Sequence, residues 1–470
     1  MMTTLPIAII GAGPVGLAAA AQLVERGLTP LVFERGASVG GAMMQWSHVR
    51  VFSPWRFNID LAARRLLEAS GWIAPDDDEL PTGRDIVSHY LKPLASLPAL
   101  ADSIILNATV SAVSRDGLDK MSNADRDNTP FAVRWTDGDG VDHSTRARAV
   151  IDASGTWHRP NPIGIDGLPV PGEIGNERIA YGIPDIEGSA RDIYAGKRVL
   201  VIGSGHSAIQ AALGLLALQA SAPDTKVIWA LRRNRIDKLL GGGLNDQLPA
   251  RGALGLAARR AINEGRLDIL ASFAVQRIRT EGDRLAIEAT LSARAMTVEA
   301  DRVIVATGFR PDLDMLRELR VQLDPAVEAP PMLAPLIDPN FHSCGSVPPH
   351  GIDELIHPEK NFTIVGSKSY GRAPTFLMAT GYEQVRSIAD ELAGNPIAAR
   401  QVQLVLPETG VCSSSRVFGE SASSCCGGPA KVAADACCVA DEVAKAEGQA
   451  GCGCGVSSKA TTTTPALALT

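Results

Sequence analysis

Residues 5–34, LPIAIIGAGPVGLAAAAQLVERGLTPLVFE, decide the fold. An apolar run ends at the glycine-rich turn 11–16, and a helix-compatible segment follows from Pro14 to Arg26. A second apolar run, residues 30–33, then ends in Glu34. Strand, glycine turn, helix and strand in this order predict the opening of a parallel α/β sheet.

The glycine spacing of this turn is typical of dinucleotide binding. Gly11 permits the tight turn, Gly13 lets the backbone approach a pyrophosphate, and Gly16 lets helix and strand pack closely. The helix that follows presents free N–H groups and the positive end of its dipole to the phosphates. Glu34, at the end of the next strand, is placed to accept hydrogen bonds from a ribose diol.

The same order of elements returns at residues 197–231, where the strand KRVLVI leads into the turn GSGHSA at 203–208. Alanine takes the place of the third glycine, which the fingerprint tolerates. The next strand ends in Arg232 and Arg233 rather than in an acid. Because a guanidinium binds a phosphate bidentately, this ending favours NADPH over NADH, the alternative being a solvated strand end.

Composition excludes several classes of function. The chain has 470 residues, 45% of them hydrophobic and 21% charged, with a formal net charge of −7 and no run of Lys or Arg that could contact a nucleic acid backbone. The apolar N-terminus lacks the positive start of a secretion signal and is interrupted by glycines. No other stretch is long enough without charge to span a bilayer, so we expect a cytoplasmic protein.

At this point the sequence resembles the flavoproteins with two dinucleotide-binding domains, which include flavin-containing monooxygenases and disulfide reductases. AVIDASG at 149–155 and VIVATGF at 303–309 look like the strand-plus-ATG segments where the chain crosses between the domains. GGAMMQW at 40–46 resembles the monooxygenase segment that follows the acid at the FAD ribose. Residues 362–392 resemble the last FAD-contacting strand and helix.

The resemblance implies an α/β protein with two Rossmann-like domains, FAD in the first and NADPH in the second. We expect an FAD-binding domain in two parts, 1–160 and 301–400, a NAD(P)H-binding domain at 161–300, and a disordered Cys-rich tail at 408–470. The expected cofactor-binding residues are Gly11, Gly13, Pro14, Gly16, Glu34, Arg35, Gly41, Trp46, Gly203, Gly205, His206, Ser207, Arg232, Arg233, Gly308, Gly366 and Thr375.

Cysteine placement separates the kinds of flavoprotein within this group. Disulfide reductases carry a cysteine pair after the FAD-ribose acid, and residues 36–72 contain none. Thioredoxin reductases carry CxxC in the nicotinamide domain, and that motif is also missing. With both thiol arrangements excluded, the remaining type is a flavin that is reduced by NADPH and reacts with oxygen, as in the monooxygenases. Residues 154–158 match the identifying motif of the monooxygenases only in part.

The tail carries seven of the eight cysteines, including two adjacent pairs and one CxC. Structural zinc sites usually have their cysteines further apart, in CxxC spacing. Adjacent thiolates on a flexible chain suit a soft ion instead. The stretch resembles the cysteine-rich tails of arsenic-resistance proteins, which implies As(III) binding; copper or zinc scavenging and a degenerate tail stay open. The expected metal-binding residues are Cys425, Cys426, Cys437, Cys438, Cys452 and Cys454.

Residues outside these motifs give weaker hypotheses. Cys344 is either a reactive thiol beside the flavin or a packed core residue. His342, His350 and His357 lie in a Pro-rich stretch and line a substrate pocket or sit on a surface loop. Arg372 is the candidate cation close to flavin or substrate, and no side chain is assigned as catalytic.

Together these features predict an NADPH-dependent FAD monooxygenase acting on a small soft substrate such as a trivalent arsenical. One alternative is an NADPH-dependent reductase of a disulfide, metal or arsenical that uses the tail cysteines. Another is a metalloid-binding or redox-sensing flavoprotein. We expect a small-molecule substrate, no nucleic acid partner and no membrane partner, and we leave a homodimer open.

Overall fold

The structure is a computed structural model that describes residues 5–233, 248–341, 347–374 and 376–404. In chain order its strands are β1 (Ile7–Ile10), β2 (Pro30–Phe33), β3 (Ile104–Ile105), β4 (Thr109–Arg115), β5 (Phe131–Thr136), β6 (Asp142–Ala147), β7 (Ala149–Asp152), β8 (Ile179–Tyr181), β9 (Arg198–Ile202), β10 (Lys226–Leu231), β11 (Asp268–Ala271), β12 (Phe273–Glu281), β13 (Arg284–Leu291), β14 (Arg294–Ala300), β15 (Arg302–Val305) and β16 (Phe362–Ile364).

The α-helices of the described residues are α1 (Pro14–Glu25), α2 (Gly41–Met44), α3 (Leu61–Ala69), α4 (Gly83–Asp85), α5 (Lys92–Ala95), α6 (Arg191–Tyr194), α7 (His206–Leu218), α8 (Pro249–Asn263), α9 (Ala334–Ile337), α10 (Met378–Leu392) and α11 (Pro396–Arg400). Short 3-10 turns occur at Trp55–Phe57, Ala101–Ser103, Arg126–Asn128, Asp314–Leu316, Ile352–Leu355 and Gly366–Tyr370, and one π-helical turn at Ile86–Leu91.

The first sheet is parallel and has the order β16-β7-β1-β2-β3. Strand β1 is fully buried because alternate side chains point to opposite faces and both faces are covered. Ile7 and Ile9 pack in the core that contains α1, whereas Ala8 and Ile10 pack against residues of the three-stranded sheet β4-β5-β6. The continuous apolar run of the sequence is therefore the mark of a central parallel strand.

The second sheet repeats this design with the order β11-β10-β9-β15-β8, again parallel. Val199 and Val201 of β9 pack with the buried face of α7, while Leu200 and Ile202 pack against the three-stranded sheet β12-β13-β14. Two parallel sheets, each covered by helices on one face and by a small antiparallel sheet on the other, confirm the predicted pair of Rossmann-like folds.

The connection between β4 and β5 contains a buried arginine. Most of residues 116–130 are exposed, and they lie between two paired strands. Arg126 within the loop is nevertheless buried, because its Nη2 donates to Glu359 Oε2 at 2.7 Å, and Glu359 also accepts from Arg115 Nε at 2.6 Å. This buried triad joins the loop to the segment that precedes β16.

Candidate functional site: two facing dinucleotide turns

The turn after β1 has the backbone that its glycines predict. Gly11 adopts φ +99°, and a methyl group placed on it would lie 2.8 Å from Ala153 O. A methyl group on Gly16 would lie 1.9 Å from Gly11 O, so α1 approaches the strand end more closely than any side chain permits. Gly13, by contrast, has no heavy atom within 4 Å of that position. The open side of the turn at Gly13 leaves room for a phosphate group beside the start of α1.

Glu34 stands beside this turn at the end of β2. Its Oε2 accepts from Ala12 N and its Oε1 from Gly36 N, each at 2.8 Å, and the residue is 8% exposed. A methyl group on Gly41 would lie 3.8 Å from the same carboxylate, which places the start of α2 at this point as well. Two backbone donors fix the carboxylate in one orientation while both oxygens keep further lone pairs for ribose hydroxyl groups. Arg35, the next residue, is exposed.

The end of the described chain completes the first site. Gly366 follows β16 with φ +68°, and its N–H donates to Gln384 Oε1 of α10 at 2.8 Å. Methyl groups on Gly366 and Gly381 would lie 3.3 Å and 2.6 Å from Val15 Cγ2. Gly366 and Gly381 therefore pack on the first turn of α1. Thr375, predicted in the same set, lies outside the described residues.

A buried ion pair supports the crossing segment 153–155, and no local sequence pattern predicts it. Lys368 Nζ donates to Asp152 Oδ2 at 2.6 Å and to Ser154 Oγ at 3.1 Å. The other oxygen, Asp152 Oδ1, accepts from Ser154 N at 3.1 Å and from Ser154 Oγ at 2.7 Å. Both charged side chains are 0% exposed. The pair joins the carboxyl ends of β7 and β16, from which two of the loops around the site begin.

The second turn repeats the geometry of the first. Gly203 has φ +146°, and a methyl group on it would lie 2.2 Å from Ala306 O. Gly205 has no heavy atom within 4 Å of that position, so it offers the same open approach as Gly13. Ala208, in place of the third glycine, is fully buried. The His206 ring lies 5.4 Å from the Phe52 ring, which brings the first residue of α7 against a loop of the other half. Ser207 follows it in the first turn of α7.

Arg232 and Arg233 come directly after β10, as predicted. Burial and then the positive charges of Arg233 and Arg372 lower the pKa of Arg232. Arg232 and Arg233 therefore bring two adjacent positive charges to the end of β10. A phosphate is a group that such a pair of cations binds favourably.

An aromatic wall connects the two halves. Trp157 lies 6.4 Å from Trp46 and 5.0 Å from Phe309, measured between ring centroids, and its Nε1 donates to Gln45 Oε1 at 2.7 Å. Phe309 follows Gly308, which has φ +88° in the second crossing segment. Trp157 thus contacts both Trp46 and a side chain of the second crossing. Met43 of the same segment as Trp46 is buried in the core, and Met44 is exposed.

Two predicted pocket histidines are part of the core instead. His350 Nε2 lies 2.9 Å from Gln384 Nε2, and its Nδ1 lies 3.1 Å from Pro348 O. His357 Nδ1 lies 3.1 Å from Gln322 O, and burial lowers the pKa of this residue to about 4. Both rings are buried, so neither the pocket nor the surface-loop hypothesis is correct for them. His342, Cys344 and all six tail cysteines of the predicted metal set lie outside the described residues.

Within the described ranges, no cluster of His, Cys, Asp and Glu could hold a metal ion. None of the helices in those ranges has the length and apolar character needed to cross a membrane.

Two glycine turns with open phosphate sides, one beside a buried glutamate and the other beside an arginine pair, define a protein that binds two dinucleotides. This geometry fits FAD at the first turn and NADPH at the second. The model of the pyridine nucleotide-disulphide oxidoreductase family matches residues 8–333, and the chain belongs to that family. It is an FAD-dependent oxidoreductase, with FAD and NADPH as its cofactors.

Several curated relatives are flavin-containing monooxygenases. The chain is 25% identical over 237 residues to flavin-containing monooxygenase ustF1 of Aspergillus flavus, covering 48% of this chain and 53% of that protein. It is 26% identical over 238 residues to flavin-containing monooxygenase 1 of Mus musculus, covering 48% of this chain and 41% of that protein. The chain thus spans about half the length of the curated relatives it matches.

Solved structures of two activities share the fold. Bacillithiol disulfide reductase Bdr from Bacillus cereus matches with a TM-score of 0.61 and 21% identity, covering 83% of this chain and 99% of that one. The cadaverine monooxygenase DfoA from Erwinia amylovora, solved with FAD, matches with a TM-score of 0.59 and 14% identity, covering 89% and 99%. At these identities the comparison establishes the fold and leaves the chemistry to the residues of this chain.

Proposed function

We propose that the protein is an NADPH-dependent flavin monooxygenase that acts on a small, soft substrate such as a trivalent arsenical. The observation that carries the monooxygenase assignment is the position of the cysteines. Cys344 is the first cysteine of the chain, so residues 36–72 and 161–300, where the related reductases hold their redox thiols, contain none. The two parts of the site therefore have no thiol relay of the kind that those reductases use.

Bound FAD and NADPH would supply the redox chemistry: two electrons from NADPH would reduce dioxygen through the flavin, so that one oxygen atom would enter the substrate and the other would leave as water. This chain's own residues bind and orient. Glu34 holds the ribose of FAD, and the open backbone at Gly13 and Gly205 receives the two pyrophosphates. Arg232 and Arg233 hold the extra phosphate of NADPH, and the wall around Trp157 limits access of water.

Support for an arsenical comes from the tail. Cys425-Cys426, Cys437-Cys438 and Cys452-Gly453-Cys454 offer closely spaced thiolates, which bind soft ions in preference to hard ones. Trivalent arsenic also carries a lone pair that can accept an oxygen atom. The tail would deliver the substrate, whereas the two dinucleotide sites would supply the electrons.

The same seven tail cysteines favour a second candidate, an NADPH-dependent reductase whose tail shuttles electrons from the flavin to a disulfide, metal or arsenical. A third candidate is a metalloid-binding or redox-sensing flavoprotein with slow turnover. The three candidates differ in what happens to dioxygen and in whether the thiols take part in turnover.

Isotopically labelled dioxygen tests the proposal. The FAD-loaded protein, NADPH and a trivalent methylarsenical are incubated under the labelled gas, and the pentavalent product is analysed by mass spectrometry. A monooxygenase places one labelled atom in the product for each NADPH oxidised. Unlabelled product, or NADPH oxidation that depends on a pentavalent arsenical or a disulfide instead of dioxygen, would overturn the assignment.

A variant with Cys425, Cys426, Cys437 and Cys438 all changed to Ser tests the part played by the tail. A monooxygenase retains NADPH oxidation at saturating substrate and loses substrate affinity, seen as a raised KM. A reductase that uses these thiols loses kcat. The matched control is Cys412→Ser, which removes a tail thiol that belongs to no pair.

A further inference from the structure

Two arginines from different parts of the chain meet at one glycine. A methyl group placed on Gly167 would lie 3.5 Å from Arg310 Nη2 and 3.6 Å from Arg372 Nη2, so the two nitrogens are no more than about 7 Å apart. Gly167 has φ +83°, and the absence of a side chain there leaves the space beside both guanidinium groups open. Charge-assisted hydrogen bonds of about 2.8 Å from each side would leave room for one small oxyanion between them.

Backbone contacts near each arginine define their positions. Arg310 Nε donates to Asn161 Oδ1 at 3.0 Å, and Asn161 is itself tied to the second crossing by its N–H, which donates to Gly308 O at 2.9 Å. Arg372 lies in the loop after β16, where its N–H donates to Val327 O at 2.7 Å. One guanidinium therefore comes from the crossing after β15 and the other from the segment that completes the FAD site.

Within the described ranges, neither guanidinium forms an ion pair with a carboxylate, and the nearest acids in sequence have other partners. Asp312 pairs with Arg159 at 3.0 Å, and Asp166 Oδ1 accepts from Leu168 N at 3.1 Å. Two like charges this close repel each other and are stabilised by an anion between them. The influence of Arg372 on Arg232 adds a further positive charge to the same region.

Exposed apolar side chains flank this pair. Ile165 is 51% exposed and Leu168 is 63% exposed, and they lie on either side of Gly167 in one tight loop. That loop is closed by Gly167 N, which donates to Gly164 O at 3.0 Å. An anionic group bound between the arginines would therefore have an apolar surface beside it for the rest of the molecule.

We propose that Arg310 and Arg372 form an anion subsite that binds a carboxylate or similar oxyanion next to an apolar group. This inference goes beyond the proposed function, and nothing in it depends on a reaction with dioxygen. Arg232 and Arg233 follow β10, whereas Arg310 and Arg372 follow β15 and β16. Competition with a ligand of the NADPH site is therefore the measurement that separates the two pairs.

Calorimetric titration of the oxidised, FAD-loaded protein with benzoate and with its neutral counterpart benzamide tests this subsite. We expect benzoate to bind at least tenfold more tightly than benzamide, and to do so equally well when adenosine 2′,5′-bisphosphate saturates the NADPH site. Equal affinities, or no binding of benzoate, would overturn the proposal. Displacement of benzoate by the bisphosphate would also overturn it and assign the arginines to NADPH.

Arg310→Gln and Arg372→Gln should each lower benzoate affinity at least tenfold and leave benzamide unchanged. Arg317→Gln, which removes the same charge from a side chain that is 79% exposed, should change neither affinity. The FAD content of each variant shows that it is folded. Binding of benzoate to the oxidised protein needs no reaction with dioxygen. The titration therefore tests the anion subsite whether or not the protein is a monooxygenase.

Discussion

Replacement of Lys368 by Met should destabilise the FAD-binding half more than any exposed ion-pair deletion in this protein. Lys368 and Asp152 are both 0% exposed, and the change leaves the Asp152 carboxylate buried with Ser154 as its remaining partner. Removal of one member of a buried pair costs about 3–5 kcal/mol, because the other charge stays desolvated. The ratio of folded to unfolded protein should therefore fall by roughly two to four orders of magnitude.

Urea unfolding of the FAD-loaded protein, followed by flavin and tryptophan fluorescence, measures this loss. The control, Arg400→Met, removes a cation that is 43% exposed and pairs with Asp353 and Glu391; it should cost less than about 1 kcal/mol. The double variant Asp152→Asn with Lys368→Met should recover at least about 1 kcal/mol, because it leaves no uncompensated charge. A Lys368→Met variant as stable as the control would refute the role assigned to this pair.

Three other changes have expected outcomes. Gly16→Ala should destabilise the fold by about 1–3 kcal/mol in urea unfolding, since the new methyl group would lie 1.9 Å from Gly11 O. Gly13→Ala should retain the stability of the fold and lose FAD. Glu34→Gln should weaken FAD binding at least tenfold in equilibrium dialysis, because an amide cannot accept both backbone N–H groups, whereas the exposed Glu68→Gln should not. Burial lowers the pKa of His357 from 6.5 to about 4, so its neutral form contributes stability above pH 6.5 that is lost as the pH falls toward 4. In urea unfolding measured across this pH range, His357→Asn should reduce the slope of the unfolding free energy against pH by up to about 1.4 kcal/mol per pH unit. An unchanged slope would contradict a lowered pKa for His357.

Local patterns predicted the elements around the two turns. The helix expected over Pro14–Arg26 is observed as Pro14–Glu25, and the strand expected over residues 30–33 is observed with those bounds. Both succeed because a glycine turn, the strand before it and the helix after it are neighbours in sequence. Gly11 and Gly203, which have positive φ in the two turns, are recognisable for the same reason.

Long-range contacts account for what the sequence did not predict. Asp152 and Lys368 are 216 residues apart, and nothing near either residue marks it as a buried partner of the other. His350 was placed in a loop or pocket because its neighbours are proline and glycine, yet Gln384 and Pro348 contact it in the core. Burial of a polar residue depends on which distant segment packs over it, and composition alone carries no such information.

Stopped-flow absorbance shows whether the reduced flavin reacts with dioxygen as a monooxygenase does. The FAD-loaded protein is reduced with NADPH without oxygen and then mixed with oxygenated buffer, with and without a trivalent arsenical. We expect a transient absorbance band at shorter wavelength than that of oxidised flavin, which decays faster when the arsenical is present. Reduced flavin that does not react with dioxygen, but is reoxidised by a disulfide or a pentavalent arsenical, would contradict the monooxygenase assignment and identify a reductase.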